Sequence, residues 1–152
     1  MPERDWFWEG AVQDAVVDAL ISGGWRIERA MDTASRERGI DILATRENRT
    51  LAVEVKGYPT TTYQRGPKQG LPKPTAPTNQ ARQWFSHALL AAVLTPSSHP
   101  GVEVALAFPD MPRYRGLIDR SAWALRRLGT GVYLVRESGE VERLLDHTAP
   151  DV

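Results

Sequence analysis

The chain has 152 residues, a formal net charge of +0, 41% hydrophobic and 25% charged residues, and no cysteine. That size and balance describe one globular domain, residues 1–152, able to bury a core unaided, and the missing cysteines exclude disulfides and zinc–thiolate centres. No apolar run approaches the thickness of a bilayer, and the first residues (Glu3, Asp5, Trp6, Phe7, Trp8) are acidic and aromatic where a secretory signal needs a basic start. The expectation is a cytoplasmic protein with no membrane partner.

Residues 6–22 are predicted as the first helix, with Val12, Ala15, Val16, Ala19 and Leu20 at helical spacing and Gly23-Gly24 as its stop. A short strand over 25–30 follows, with Trp25, Ile27 and Arg29 on one face, and then a polar loop over 31–38. Two β-rich runs, 40–45 and 50–56, flank the turn-like Arg46-Glu47-Asn48-Arg49 and predict a hairpin. Residues 57–78 carry five prolines and no apolar periodicity, and a loop that long inside a domain is functional or disordered. A second helix is predicted over 79–94, capped by Thr78 or Asn79, with Ala81, Trp84, Phe85, Ala88, Leu89 and Ala92 as its buried stripe. A strand over 102–108, helical residues 121–128, and strands over 132–135 and 141–145 complete the chain. The class is α/β: an α-β-β-β-α-β core with a C-terminal αββ extension.

Net neutrality hides an uneven distribution. Between 57 and 102 there is no Asp or Glu, while Arg65, Lys68, Lys73 and Arg82 lie inside that stretch. A second basic group follows in Arg113, Arg115, Arg120, Arg126 and Arg127. A neutral protein with a basic middle can still present a positive face to phosphates; solvated loop cations give the same pattern.

The chemistry is concentrated in the hairpin. Side chains alternate along a strand, so Ala52, Glu54 and Lys56 share one face and Leu51, Val53 and Val55 the other. If Arg46 to Arg49 form the turn, Thr45 faces Thr50 and Asp41 falls opposite Glu54 on the same face. Two carboxylates roughly 5 Å apart repel by about 3 kcal/mol at an effective dielectric near 20. A divalent cation turns that repulsion into ligation, and hard oxygen ligands suit Mg²⁺ or Mn²⁺. Lys56 projects beside Glu54, placed to orient or deprotonate a water or to neutralise a phosphate. An isolated Glu-x-Lys is also a common solvated ion pair, but Asp41 and Glu54 interrupt otherwise apolar strands, where a carboxylate needs a partner.

The run Arg38-Gly39-Ile40-Asp41-Ile42-Leu43-Ala44 followed by Leu51-Ala52-Val53-Glu54-Val55-Lys56 resembles the Asp…(Asp/Glu)-x-Lys signature of the PD-(D/E)XK nuclease superfamily, especially its Holliday-junction-resolvase-like and Mrr-like members. The resemblance covers residues 6–94. It implies a restriction-endonuclease-like fold, a central mixed sheet flanked by helices, with Asp41, Glu54 and the Val55 carbonyl as metal ligands and Lys56 beside the attacking water. It implies a further acid on the first helix, a position that Glu9 occupies. Gln80-Ala81-Arg82-Gln83-Trp84 is similar to a Gln-x-x-x-Tyr motif of some members, with Trp in place of Tyr, which keeps Gln80 as a candidate and removes the tyrosine hydroxyl.

The expectation is therefore a Mg²⁺-dependent (or Mn²⁺-dependent) deoxyribonuclease, an endonuclease hydrolysing DNA with a metal-activated water and contacting phosphates through Arg65, Lys68, Lys73 and Arg82, possible as a homodimer. Two alternatives stand beside it: an inactive nucleic-acid-binding module of the same fold, and a structural or assembly domain in which Asp41, Glu54 and Lys56 form an ion-pair network. His87, His99 and His147 have no metal-ligand spacing.

Overall fold

The computed structural model describes residues 5–31, 39–64 and 66–148. Arg65, like the polar 32–38 stretch, therefore lies outside the described residues. The elements run α1 (Glu9–Ser22), β1 (Arg26–Ala30), β2 (Ile42–Arg46), β3 (Arg49–Val55), α2 (Pro77–Ser98), β4 (Glu103–Pro109), α3 (Pro112–Leu128), β5 (Gly131–Val135) and β6 (Val141–Leu145). The six strands form one mixed sheet in the order β1-β2-β3-β4-β5-β6, parallel for β3, β4 and β5 and antiparallel at both margins. Among the described residues no helix is long and apolar enough to cross a membrane.

Alternation along the strands divides the core in two. Ile42, Ala44, Leu51, Val53, Val55, Ala105 and Ala107 face α1, which contributes Val12, Val16 and Leu20. Val104, Leu106, Phe108, Val132 and Leu134 face the opposite way, onto Ala81, Phe85, Ala88 and Ala92 of α2 and Tyr114, Ile118 and Leu125 of α3. β4 and β5 are buried along their whole length, as central parallel strands covered on both faces must be, and apart from Glu103 at the start of β4 their apolar sequence follows from that.

Several boundaries depart from the sequence expectation. α1 starts at Glu9, not residue 6; the Trp8 N–H bonds to the Asp5 carbonyl in a turn ahead of it. In β1 a register shift between Ile27 and Arg29 breaks the face expected to hold Trp25, Ile27 and Arg29 together. The hairpin ladder extends one pair further than expected, to Arg46 opposite Arg49, leaving Glu47-Asn48 as the turn. Glu47 takes a φ of 55° there, the left-handed value that turns matched to strand twist require. Thr45 still faces Thr50, so the parity of every later pair is unchanged.

The second helix begins at Pro77 and its cap is Ala76, not Thr78 or Asn79: proline at the first helical position needs no N–H partner, and the Ala76 carbonyl accepts from Asn79 and Gln80. Trp84 and Leu89 reach only the margin of the stripe. α3 likewise starts at a proline, Pro112, nine residues before its expected helical segment at Ser121. The 57–78 stretch is not structureless. Thr62 pairs with Pro72, the Tyr63 N–H bonds to the Leu71 carbonyl at 3.0 Å and the Lys73 N–H to that of Thr61 at 3.0 Å, making a short two-stranded arm.

Candidate active site

Asp41 stands where β2 has not yet begun. The Lys56 N–H bonds to the Ala107 carbonyl, so the backbone groups of Lys56 face β4 and, by alternation, those of Val55 face β2. There the Val55 N–H meets no strand carbonyl; it donates to Asp41 Oδ2 at 2.8 Å. The Asp41 backbone is held from the other side, its carbonyl accepting from the Met31 N–H at the end of β1. The Val55 carbonyl leaves the chain on the same side as Asp41.

Ile42 pairs with Val53, which sets Asp41 next to Glu54 across the hairpin, on the face that α2 covers. Lys56 lies two residues beyond Glu54 on that face, its Nζ 3.4 Å from Glu54 Oε1, both side chains four-fifths buried. Burial pushes the Glu54 carboxyl up to about 7, and the neighbouring Asp41 adds to the rise. Lys56 pulls the other way, and the field of Glu9 pushes up again. Asp41 is also raised, by burial, against the opposing Val55 N–H and Lys56. A salt bridge built for stability would leave its carboxyl below the ordinary value; here the cation does not offset burial and the second acid.

Glu9 enters from the far layer. It opens α1 at the end of the sheet where β3 stops, and its charge acts on both Glu54 and the Tyr114 hydroxyl. Gly57 makes the approach possible: a Cβ there would lie 2.7 Å from the Glu9 backbone N and 2.9 Å from the Phe7 carbonyl oxygen. Gly57→Ala is expected to force α1 off the end of β3 at a cost of about 1–3 kcal/mol, the range for overpacking a close contact, read as a lower urea midpoint.

Sequence reasoning missed the support behind this segment. Tyr114, buried in the first turns of α3, donates its hydroxyl to the Gly57 carbonyl at 2.6 Å and packs edge-on against Tyr58, 5.5 Å between centroids. Burial raises its pKa well above the ordinary tyrosine value, so it acts as a fixed donor. A tyrosine two residues after a proline at a helix start was the available signal, hidden because only 121–128 was read as helical there.

The other expected contacts divide. Gln80 lies in the first turn of α2 and accepts from Lys73 Nζ at 3.4 Å, tying the arm to the helix that covers the acids. Lys68 sits at the exposed turn of the arm, its Nζ 5.7 Å from the Tyr63 ring centroid. Arg82 is exposed, but two residues along a helix is about 200° of rotation, so it points away from the side that carries Gln80. Of the second basic group, Arg115 is neutralised by Asp110 and Glu142. Arg127 lies over the Trp123 ring, 4.4 Å from its centroid.

A second polar cluster, also unforeseen, lies at the opposite end of β3. Glu103, 1% exposed in its side chain, takes a bidentate pair of bonds from Arg49 at 2.6 and 2.8 Å and a third from His147 Nδ1 at 2.8 Å. His147 Nε2 in turn meets the Tyr133 hydroxyl at 2.7 Å.

Comparison with family models, curated proteins and solved structures gave no match. The site is read from its own chemistry.

Proposed function

We propose that this chain is a Mg²⁺-dependent phosphodiesterase acting on DNA, built on a restriction-endonuclease-like arrangement of its α/β core. The observation that carries the reading is the convergence of Asp41, Glu54 and Lys56 at one end of β3, with the acids kept together at an electrostatic cost. Strained, desolvated carboxyls of this kind belong to sites more often than to scaffolds.

The donors suit a hard divalent cation. Among the described residues no three His, Cys, Asp or Glu side chains gather, so the set is Asp41, Glu54 and the Val55 carbonyl. Mg²⁺ is commonly held by one or two carboxylates, with water and phosphate oxygens completing its shell. When bound it supplies a more acidic water and charge stabilisation on the phosphate.

The protein's own groups do the rest. Asp41 is fixed by Val55 and cannot swing out. Lys56 stands within reach of a water or a phosphate oxygen beside Glu54, and can neutralise the charge that grows there. Glu9 adds negative potential at the same point, which favours a cation there. Lys68 and Lys73 carry positive charge out along the arm toward a polyanion.

The test pairs calorimetric titration of Mg²⁺ and Mn²⁺ with cleavage of duplex and single-stranded DNA. Wild type should bind the metals and cut, Asp41→Ala with Glu54→Ala should bind neither, and Lys56→Ala should cut about 10²–10³ times more slowly. Its stability should change little near neutral pH, because Glu54, whose carboxyl is already pushed up to about 7, takes up a proton when the cation beside it is removed. A wild type inert on every DNA with both metals sinks the reading and leaves the acids to a non-catalytic role.

A further inference from the structure

The two helices that cover one face of the sheet carry most of the large apolar side chains left in solvent. Among the described residues these are Ile21, Leu71, Leu90, Val93, Leu94, Trp123 and Leu128, and the last five belong to α2 and α3. Two residues along a helix is about 200° of rotation. Leu90 stands two residues from both Ala88 and Ala92, Leu94 two beyond Ala92, and Trp123 two before Leu125, all of them core positions against the sheet. Leu90, Leu94 and Trp123 therefore point directly away from it. The helices pack side by side, with Arg113 bonded to the Thr78 carbonyl. Each runs back against the parallel strands, α2 ending just before β4 begins and α3 just before β5 begins. Their C-terminal halves share one end of the sheet, and axes of packed helices lie about 8–10 Å apart. The five side chains thus form one surface, at the end of the sheet away from Asp41, Glu54 and Lys56.

The outer face of a helix in water ordinarily carries charge. α2 has one charged residue in 22, Arg82, and α3 has a single acid, Asp119. Arg120, Arg126 and Arg127 are exposed on the half of α3 that carries Trp123, and none is in an ion pair among the described residues. Arg127 lies instead on the Trp123 ring, which is 69% exposed. Tryptophan and arginine are the residues that most often anchor interfaces. We propose that this surface docks an acidic amphipathic helix of another protein. The partner's apolar stripe lies across Leu90, Leu94 and Trp123, and its carboxylates meet the three arginines. Two other occupants fit less well. A second copy related by a two-fold axis would set arginines against arginines. A nucleic acid would take the arginines and leave the apolar side chains in water. The surface is independent of the nuclease reading, and a helix seated there leaves the acids at the other end of the sheet uncovered.

The experiment titrates the isotope-labelled full chain with a synthetic amphipathic helix of leucine and glutamate, and with its leucine–lysine counterpart, following amide and indole NMR signals. The glutamate peptide should move the Trp123 indole and the amides around Leu90 and Leu94, and bind roughly ten-fold more tightly than the lysine peptide. Leu90→Gln with Leu94→Gln, at positions exposed enough to accept glutamine, should weaken it roughly ten-fold or more, the factor for lost apolar contact. Arg120→Gln with Arg127→Gln should leave the fold intact and remove the preference for glutamate over lysine. Equal binding of the two peptides by wild type, shifts confined to another part of the chain, or no binding overturns the proposal. So does a wild type that sediments as a dimer and becomes monomeric on Leu94→Gln, which gives the surface to a second copy. Duplex DNA that moves the same signals, with an affinity that ignores both leucine substitutions, gives it to nucleic acid and overturns the proposal as well. DNA cleavage by the leucine variants, matched to wild type, reads the nuclease proposal separately.

Discussion

Glu54→Gln is expected to make the metal-free protein more stable at pH 8 while removing the proposed DNA cleavage. The Glu54 carboxyl titrates near 7 in the folded chain against an ordinary value of 4.5. Below about pH 4.5 both states hold the proton and no penalty exists. As the pH rises toward 7 the unfolded chain releases it and the folded chain does not, so stability falls across that window and stays low above it. The full penalty is at most about 3 kcal/mol. That value already includes what Lys56 gives back to the charged form, and a buried glutamine amide carries a desolvation cost of its own, so a gain of about 2 kcal/mol for Glu54→Gln at pH 8 is expected, shrinking to little at pH 4. Urea unfolding in a chelator at the two pH values measures it. Added Mg²⁺ should reverse the order, stabilising wild type by roughly 2.7 kcal/mol at a hundredfold excess over its dissociation constant and leaving the variant unmoved. Equal stability of the two proteins at pH 8, or a gain that ignores pH, would show that the acids do not oppose one another.

Arg49→Ala is expected to cost about 2–3 kcal/mol at pH 7.5. Removing one partner of a buried ion pair strands the other and costs about 3–5 kcal/mol; Arg49 is partly exposed, so solvent screening brings the loss below that range. The bond from Arg49 is the main reason that the Glu103 carboxyl lies below its ordinary value. Such a group stabilises the fold above its unfolded pKa and loses that contribution as the pH falls. The gap between wild type and variant should therefore narrow below about pH 4.5. His147, held below its ordinary value mainly by burial, also loses the nearby positive charge and becomes easier to protonate. Cleavage should be untouched, because the cluster lies at the other end of β3 from Glu54. Denaturant curves at pH 7.5 and 4 check the size and the trend; a loss under about 1 kcal/mol, or one independent of pH, removes the cluster from the account of stability.

The two clusters differ in how far the sequence foretold them. Asp41, Glu54 and Lys56 belong to one hairpin, where a period of two and a short turn decide which side chains meet, and an error of one pair in the turn did not alter the parity. The partners of the second cluster are 54 and 44 residues apart, and Tyr114 is 57 residues from the carbonyl it supports. Local pattern carries no information on contacts across a crossover. Glu103 falls inside the strand expected over 102–108 and His147 beyond the last expected strand, with no local pattern linking them; only the pairing of β4 between β3 and β5 brings them together. The arm was hidden for another reason: Gly66 and Gly70 take positive φ in its turn, and prolines mask the few backbone bonds that hold it. The order of helices and strands was legible throughout, because each long element carries its own apolar stripe.

The position of β3 between two neighbours of unequal kind bears on the time course of folding. On one side it meets β2 across a two-residue turn; on the other it meets β4, which begins at Glu103 after the arm and the whole of α2. Closing the short turn is fast and closing the long crossover is slow. While only the hairpin exists, Asp41 and Glu54 stand in water and scarcely sense one another. Their repulsion takes hold when β4 and α2 close over them. Glu54→Gln is therefore expected to slow unfolding more than it speeds refolding, which the two arms of a chevron plot beside wild type would read.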